Sequence, residues 1–272
     1  YLVEEHVFGA DLASVMEGTL PYLPPSTCAR LLHQLAKGLM ASHAVDVVHR
    51  DLKPSNIMVA DGHAFSDVKI TDFGIAKMAE AEIGQWAEVG GGTSSKTVLG
   101  AIPYMSPEAI NDFKKATKPS DVWAIAAIVY QLLSGDLPFG TGLKSIPNII
   151  AAVPPPLPKQ LKSAQFSSLG GELYSIICRC LDKDPAKRPD AVSLVSMCEE
   201  LCYATSKYSL GTVLDNTGYT GRIIDKEGIT LMYHPSNFYG SSKVVIGSPV
   251  WFGRAEGVPM DRAFPIVVAL PK

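Results

Sequence analysis

The run His49-Arg50-Asp51-Leu52-Lys53-Pro54-Ser55-Asn56 and the triplet Asp72-Phe73-Gly74 hold the side chains of this sequence best suited to chemistry. They supply two carboxylates, a carboxamide and an ammonium at the spacing that transfer of a phosphoryl group to a hydroxyl requires. A metal-bound triphosphate needs oxygen or amide ligands for Mg2+, a cation for the migrating charge, and a carboxylate to orient the attacking hydroxyl. Read singly, Asp51 and Asp72 are ordinary surface acids; read together and in this order, they form a reaction centre.

Such a centre has to be held by regular elements. Val47-Val48 and Ile57-Met58-Val59 read as two short strands bracketing the first cluster, and Val68-Lys69-Ile70 as a strand leading into the second. Pro24-Pro25-Ser26 precedes Leu31, Leu32, Leu35, Leu39 and Met40, whose spacing predicts a helix with one apolar face and Ser26 as its cap. Ser120 to Ser134 is apolar on nearly every side, so it predicts a helix buried in the domain centre, with Gly135 just past its end. Further helices are predicted over Leu169 to Leu181 and from Asp190 to about Tyr203, the latter capped by Asp190. Glu88 to Thr97 is rich in Gly, Ser and Thr and reads as a flexible surface segment.

The pattern changes near Ser206. Leu210 to Leu214, Gly221 to Asp225, Ile229 to His234, Val250 to Arg254 and Phe264 to Leu270 read as short strands, with Asp225-Lys226-Glu227-Gly228 as a hairpin connection. This suits a small closed barrel. The fold class is therefore α+β, a mostly helical body over residues 1–203 followed by a five-stranded β-barrel over 206–272.

Composition narrows the remaining possibilities. The chain has 272 residues and a net charge of −3, which argues against a strongly basic protein of nucleic-acid or membrane surfaces. No apolar run approaches the roughly 18 residues of a spanning helix, so no membrane partner is expected. Cys28, Cys178, Cys180, Cys198 and Cys202 are odd in number and lack zinc-ligand spacing, which predicts reduced thiols in a reducing, cytoplasmic compartment. Val153-Pro154-Pro155-Pro156-Leu157-Pro158 reads as a structural connection rather than a polyproline ligand. His33 and His43 lie in a helical pattern and His63 in a turn, none with ligand spacing.

The two clusters resemble the catalytic loop and the metal-binding loop of protein kinases, and the resemblance spans the large, mostly helical lobe of that family. It implies a serine/threonine protein kinase that uses ATP and Mg2+ and acts on a protein substrate; Lys53-Pro54 is similar to the serine/threonine type. By that resemblance Asp51 orients the substrate hydroxyl, Lys53 neutralises charge on the transferred phosphate, and Asn56 and Asp72 hold the metal. Adenine would meet backbone groups near Glu5 and Val7, and the ribose would meet Asp11. Arg50 would pair with a phosphorylated residue of the activation segment, for which Thr97 has the usual position and Thr93, Ser94 and Ser95 are neighbours. His49 would pack behind the metal-binding loop, and Ile75 would accompany a preference for threonine. Glu108 of Ser106-Pro107-Glu108 would form a buried ion pair with Arg188, and Asp121 would anchor the catalytic-loop backbone.

Some positions depart from the family pattern. Ala101 stands where the family prefers Thr or Ser between the catalytic Asp and Lys, and Glu4 stands where an apolar gatekeeper is usual. The family's glycine-rich loop, strand lysine and helix glutamate would precede Tyr1. Gly90-Gly91-Gly92 cannot substitute, because it falls inside the activation segment. The expectation is a chain truncated before the hinge, a fragment with little turnover by itself. The alternative is a pseudokinase-like scaffold that binds a protein or RNA partner.

The tail is similar to a cold-shock, oligonucleotide-binding barrel through Leu210-Gly211-Thr212-Val213, Gly218 to Ile224, Met232 to Ser236 and Gly247-x-x-Val250-x-Phe252. That likeness implies single-stranded nucleic acid as a possible partner, stacked on aromatic side chains. Thr220, Arg222 and Met232 replace the family's strand aromatics, while Tyr219, Tyr233, His234, Phe238 and Tyr239 remain available. Seven Lys/Arg against five Asp/Glu give the tail a small positive surplus. The plainer reading is a β-barrel used for docking.

Overall fold

The computed structural model describes residues 5–73, 96–205, 207–241 and 244–271. The helical body opens with β1 (Ala10–Asp11), α1 (Leu12–Gly18) and α2 (Pro25–Ala44). Next come β2 (Ile57–Val59) and β3 (Val68–Ile70), then α3 (Lys96–Ala101), α4 (Pro107–Asn111) and α5 (Lys118–Ser134). It continues through α6 (Ile146–Ala151), α7 (Ala164–Cys180) and α8 (Ala191–Glu199).

The centre is α5. Val122, Trp123, Ile125, Ile128, Val129, Leu132 and Leu133 are all buried, as a helix without a polar face requires. The Ser120 hydroxyl accepts the Thr117 amide at its start, and Gly135 ends it in the left-handed region at φ 82°. Around it α2 buries Leu31, Leu32, Leu35 and Leu39. Ser26 does not cap α2: Pro24 is the N-cap, and Pro25 sits at the first helical position, where its fixed φ suits the helix and its missing N–H is no loss. Val47-Val48 forms no strand. Val47 donates its amide to the Ser42 carbonyl and is 40 % exposed, so that stretch is a turn leaving α2. A three-stranded antiparallel sheet, β1-β2-β3, pairs Ala10 with Val59 and Ile57 with Ile70.

The tail forms a closed barrel of β4 (Tyr208–Asn216), β5 (Gly221–Asp225), β6 (Thr230–Tyr233), β7 (Pro249–Ala255) and β8 (Arg262–Val268), in the order β4-β5-β6-β8-β7. β7 returns to β4, and a parallel bridge between Met232 and Arg262 joins β6 to β8. The predicted hairpin is present, with Gly228 at φ 84° and the Asp225 carboxylate accepting the Glu227 and Ile229 amides. Val213, Ile223, Leu231, Phe252 and Ile266 fill the barrel's interior.

The barrel is packed onto the helical body. Tyr239, Trp251, Val267 and Ala269 belong to the same buried cluster as α1, α2 and α5. The Tyr239 hydroxyl donates to the Leu133 carbonyl at 2.5 Å, and the Leu270 amide donates to the Thr19 carbonyl at 2.8 Å. Phe166 meets Tyr239 edge-on at 5.1 Å and stacks on Phe264 at 5.7 Å. This contact explains why α7 begins at Ala164 rather than Leu169: its first turn is held by the barrel as well as by its own sequence. At the other end α8 stops at Glu199, short of Tyr203, whose hydroxyl lies 2.6 Å from His33 Nδ1 instead. Among the described residues no helix is long and apolar enough to cross a membrane. The cysteines are all free thiols, as the sequence predicts.

Candidate active site

The reactive loop between α2 and β2 is irregular, so its shape must come from tertiary anchors. Asp121, 1 % exposed on the first turn of α5, supplies them. Its Oδ2 accepts the His49 amide and contacts His43 Nε2, both at 2.9 Å, and its Oδ1 accepts the Arg50 amide at 2.9 Å. These bonds hold Arg50 in the left-handed region at φ 67°, which turns the chain sharply into Asp51. His49 is fully buried: its Nε2 lies 2.8 Å from the Thr71 carbonyl and its ring 4.9 Å from Phe73. One imidazole thus joins the two loops, its Nδ1 also accepting the Asp51 amide at 3.3 Å.

Beyond that anchor the polar groups converge. Lys53 Nζ donates to Asp51 Oδ2 at 2.8 Å, the lysine 13 % exposed and the aspartate 34 %. Asn56 Nδ2 donates to the Asp51 carbonyl at 2.8 Å and lies 3.4 Å from Asp51 Oδ2. With its NH2 group so engaged, Asn56 has its Oδ1 left as an oxygen donor, 3.3 Å from the Ser55 hydroxyl. The β2–β3 register carries the second cluster to the first: Ile57 pairs with Ile70, and the Thr71 amide donates to the Asn56 carbonyl at 3.0 Å. Asp72 follows at φ 62°, the second turn into the left-handed region at this site.

An amide oxygen and a carboxylate are hard donors of the kind that Mg2+ takes while its remaining positions go to phosphate oxygens and water. Among the described residues no cluster of three or more His, Cys, Asp or Glu could hold a metal by itself. The donor set fits a cation that completes its shell with phosphate oxygens. Asn56 and Asp72 would hold it, and Lys53 would lie beside the charge being transferred.

The other expected residues fare variously. Asp11 is half-buried; its carboxylate caps α1, accepting the Ser14 amide at 3.0 Å and the Ser14 hydroxyl at 2.5 Å. Glu5 is exposed and pairs with Lys69 at 2.6 Å, and Val7 is partly buried close by in the chain. Ala101 closes α3 with no side-chain oxygen to bridge Asp51 and Lys53, which meet directly. Thr97 belongs to α3, but its side chain lies outside the described residues, as do Glu4, Gly74, Ile75, Gly90, Gly91, Gly92, Thr93, Ser94 and Ser95. Glu108 and Arg188 form the expected ion pair, at 2.7 Å. Sequence reasoning missed His43, which shares the Asp121 carboxylate; its position seventy-eight residues away gave no sign of the contact.

In the barrel, the aromatics offered for base stacking are used for packing. Tyr233 and Phe238 are buried and meet edge-on at 5.3 Å, Tyr239 is buried against the helical body, and Arg222 is ion-paired with Asp215. Tyr219, 84 % exposed, and His234, also exposed, are the open rings of that set.

The family described as the protein kinase domain matches residues 1–198. The serine/threonine-protein kinase pkn2 of Myxococcus xanthus is 35 % identical over 192 residues, covering 70 % of this chain and 22 % of that protein. The serine/threonine-protein kinase PknA of Corynebacterium glutamicum is 34 % identical over 215 residues, covering 78 % of this chain and 40 % of that protein. This chain therefore spans less than half the length of either relative. Among solved structures, Rad53 residues 1–466 in complex with AMP-PNP matches with a TM-score of 0.51 and 25 % identity, covering 71 % of this chain and 44 % of that one.

Proposed function

The chain belongs to the protein kinase family, and on that premise we propose that it transfers the γ-phosphate of ATP to serine or threonine hydroxyls of a protein substrate. One observation carries the reading. The Asp51 carboxylate is met by Lys53 at 2.8 Å and by Asn56 at 3.4 Å, on a loop whose backbone is pinned by a buried aspartate. Asp51 orients the incoming hydroxyl and accepts its proton, and Lys53 keeps positive charge against the migrating group. Asn56 and Asp72 would hold the metal that accompanies the nucleotide; the nucleotide would supply the phosphoryl group and the metal the charge neutralisation.

Glu5, Val7 and Asp11 are assigned to the adenosine end of the nucleotide. Arg50, exposed beside Asp51, is assigned with Thr97 to control by phosphorylation. We divide the chain into a kinase large lobe over 1–203 and a barrel over 206–272. The buried free thiols Cys28, Cys180 and Cys198 support a reducing compartment, the cytoplasm. The scaffold alternative is not favoured, since the matched relatives are serine/threonine-protein kinases and Asp51, Lys53 and Asn56 meet in this loop. A nucleic-acid role for the barrel finds no support in its buried aromatics.

The test is phosphate incorporation from labelled ATP into a protein acceptor by the full gene product, beside its Asp51→Asn variant. The variant is expected to be slower by roughly two to four orders of magnitude. Equal incorporation by the two proteins overturns the proposal.

A further inference from the structure

The β2–β3 hairpin has Asn56 and Thr71-Asp72 at its root and residues 60–67 at its tip. The root is closed by the Thr71 amide on the Asn56 carbonyl. The tip is held by a second set of groups. Its three successive carbonyls, of His63, Ala64 and Phe65, accept from Trp251 Nε1 at 2.9 Å, from Arg30 Nη2, and from Gln34 Nε2 at 3.0 Å. Arg30 and Gln34 belong to α2, but Trp251 comes from β7 of the barrel. Its indole is fully buried, meets Phe65 edge-on at 6.0 Å and lies flat on Tyr208 at 3.9 Å and 3°. Tyr208 is fixed in turn, its hydroxyl taking a bond from Thr27 at 2.9 Å with Ser26 at 3.2 Å.

We propose that Trp251, braced by Tyr208, is a positioning residue for the metal-ligating pair Asn56 and Asp72, so that the barrel is a working part of the nucleotide site and not an appended module. The inference rests on the kinase reading for the role of that pair. Strands of three residues, with β1 adding only the pairs Ala10–Val59 and Asp11–Met58, cannot hold their own geometry in water, and the separation at the root follows from what grips the hairpin along its length. α2 lies close along the hairpin's flank: a Cβ on Gly38 would come within 3.1 Å of Ile70 Cδ1. Trp251 adds the barrel's hold at the far end. If that hold is lost, the tip can shift on α2 and the shift is carried by paired backbone to Asn56 and Asp72.

Two variants separate the donor from the brace: Trp251→Phe keeps a ring but removes the N–H, and Tyr208→Phe keeps the stack but removes the hydroxyl. Ile266→Val, in the barrel's own core, serves as a control for general loosening. Hydrogen exchange, which needs neither nucleotide nor metal, is read at the tip and at the Thr71 amide at the root. Metal dependence is read as the Mg2+ concentration that half-saturates binding of a non-hydrolysable ATP analogue to the full gene product. In Trp251→Phe, and more weakly in Tyr208→Phe, exchange at Thr71 should quicken and the Mg2+ requirement rise on the order of tenfold, with both unchanged in Ile266→Val. Exchange at Thr71 that matches wild type in both variants, or that quickens as much in Ile266→Val, overturns the proposal. Quickened exchange at Thr71 without any Mg2+-dependent analogue binding, in wild type as well, would confirm the mechanical link while rejecting the kinase reading and with it the role of the pair.

Discussion

Arg188 has its guanidinium sealed from solvent and gives its two terminal nitrogens to Glu108 at 2.7 and 2.8 Å, while its Nε donates to the Asp182 carbonyl. Its cationic carbon lies 4.9 Å from the centre of the Trp123 ring. Burial pushes the Glu108 carboxyl upward, but the bonds from Arg188 and Ser120 outweigh it and hold the group at about 2, against 4.5 for an ordinary glutamate. A carboxyl depressed in the folded state adds stability that is complete above the unfolded value and fades as pH falls. This pair should therefore contribute in full above about 4.5 and lose its contribution as the pH approaches 2. Glu108→Gln is expected to cost roughly 3 kcal/mol near neutrality, because it strands a buried guanidinium. Denaturant midpoints measured down the acid limb should show the gap between the two proteins closing through that window; a gap independent of pH would refute the assignment.

At the scale of elements, α5 shows how one helix organises the site. Its first turn holds Asp121, which shapes the reactive loop, and its last carbonyls receive the barrel through Tyr239. Its end depends on Gly135 at φ 82°, where a Cβ would also come within 3.4 Å of the Tyr22 ring. Gly135→Ala should cost about 1–2 kcal/mol, the usual cost of a side chain in the left-handed region. A thermal midpoint lowered by about 2–4 °C for each kcal/mol is the expected reading, and an unchanged midpoint would contradict the cap.

For the whole molecule, the decisive fact is that the helical body and the barrel share one buried cluster. The burial that lifts the Tyr239 hydroxyl well above the usual tyrosine range leaves it as a neutral donor to the Leu133 carbonyl. Tyr239→Phe should cost about 1–3 kcal/mol, since it leaves that carbonyl buried without its partner. Because the contact is core-like, both parts should unfold in one transition. Far-ultraviolet and near-ultraviolet circular dichroism should give coincident midpoints, and two resolved transitions would rule this out.

The sequence alone pointed to the proposed chemistry. Asp51, Lys53, Asn56 and Asp72 could be picked out because residue type and local spacing encode what a reacting centre must contain, and α5 could be picked out because an all-apolar helix has one place to go. It also determined that the tail alternates as a barrel, including the Asp225–Gly228 hairpin. The tertiary structure decided what joins these parts: Asp121 gripping a loop seventy residues away, His43 sharing that carboxylate, and Trp251 reaching from the barrel to the His63 carbonyl. It also moved the start of α7, removed the Val47-Val48 strand and took Ser26 from a capping role to a contact with Tyr208. The physical reason is range. Capping, periodicity and motif spacing act over a few residues and leave a local trace, whereas a hydrogen bond or ring contact between distant segments depends on how the packed elements meet, which no local pattern records.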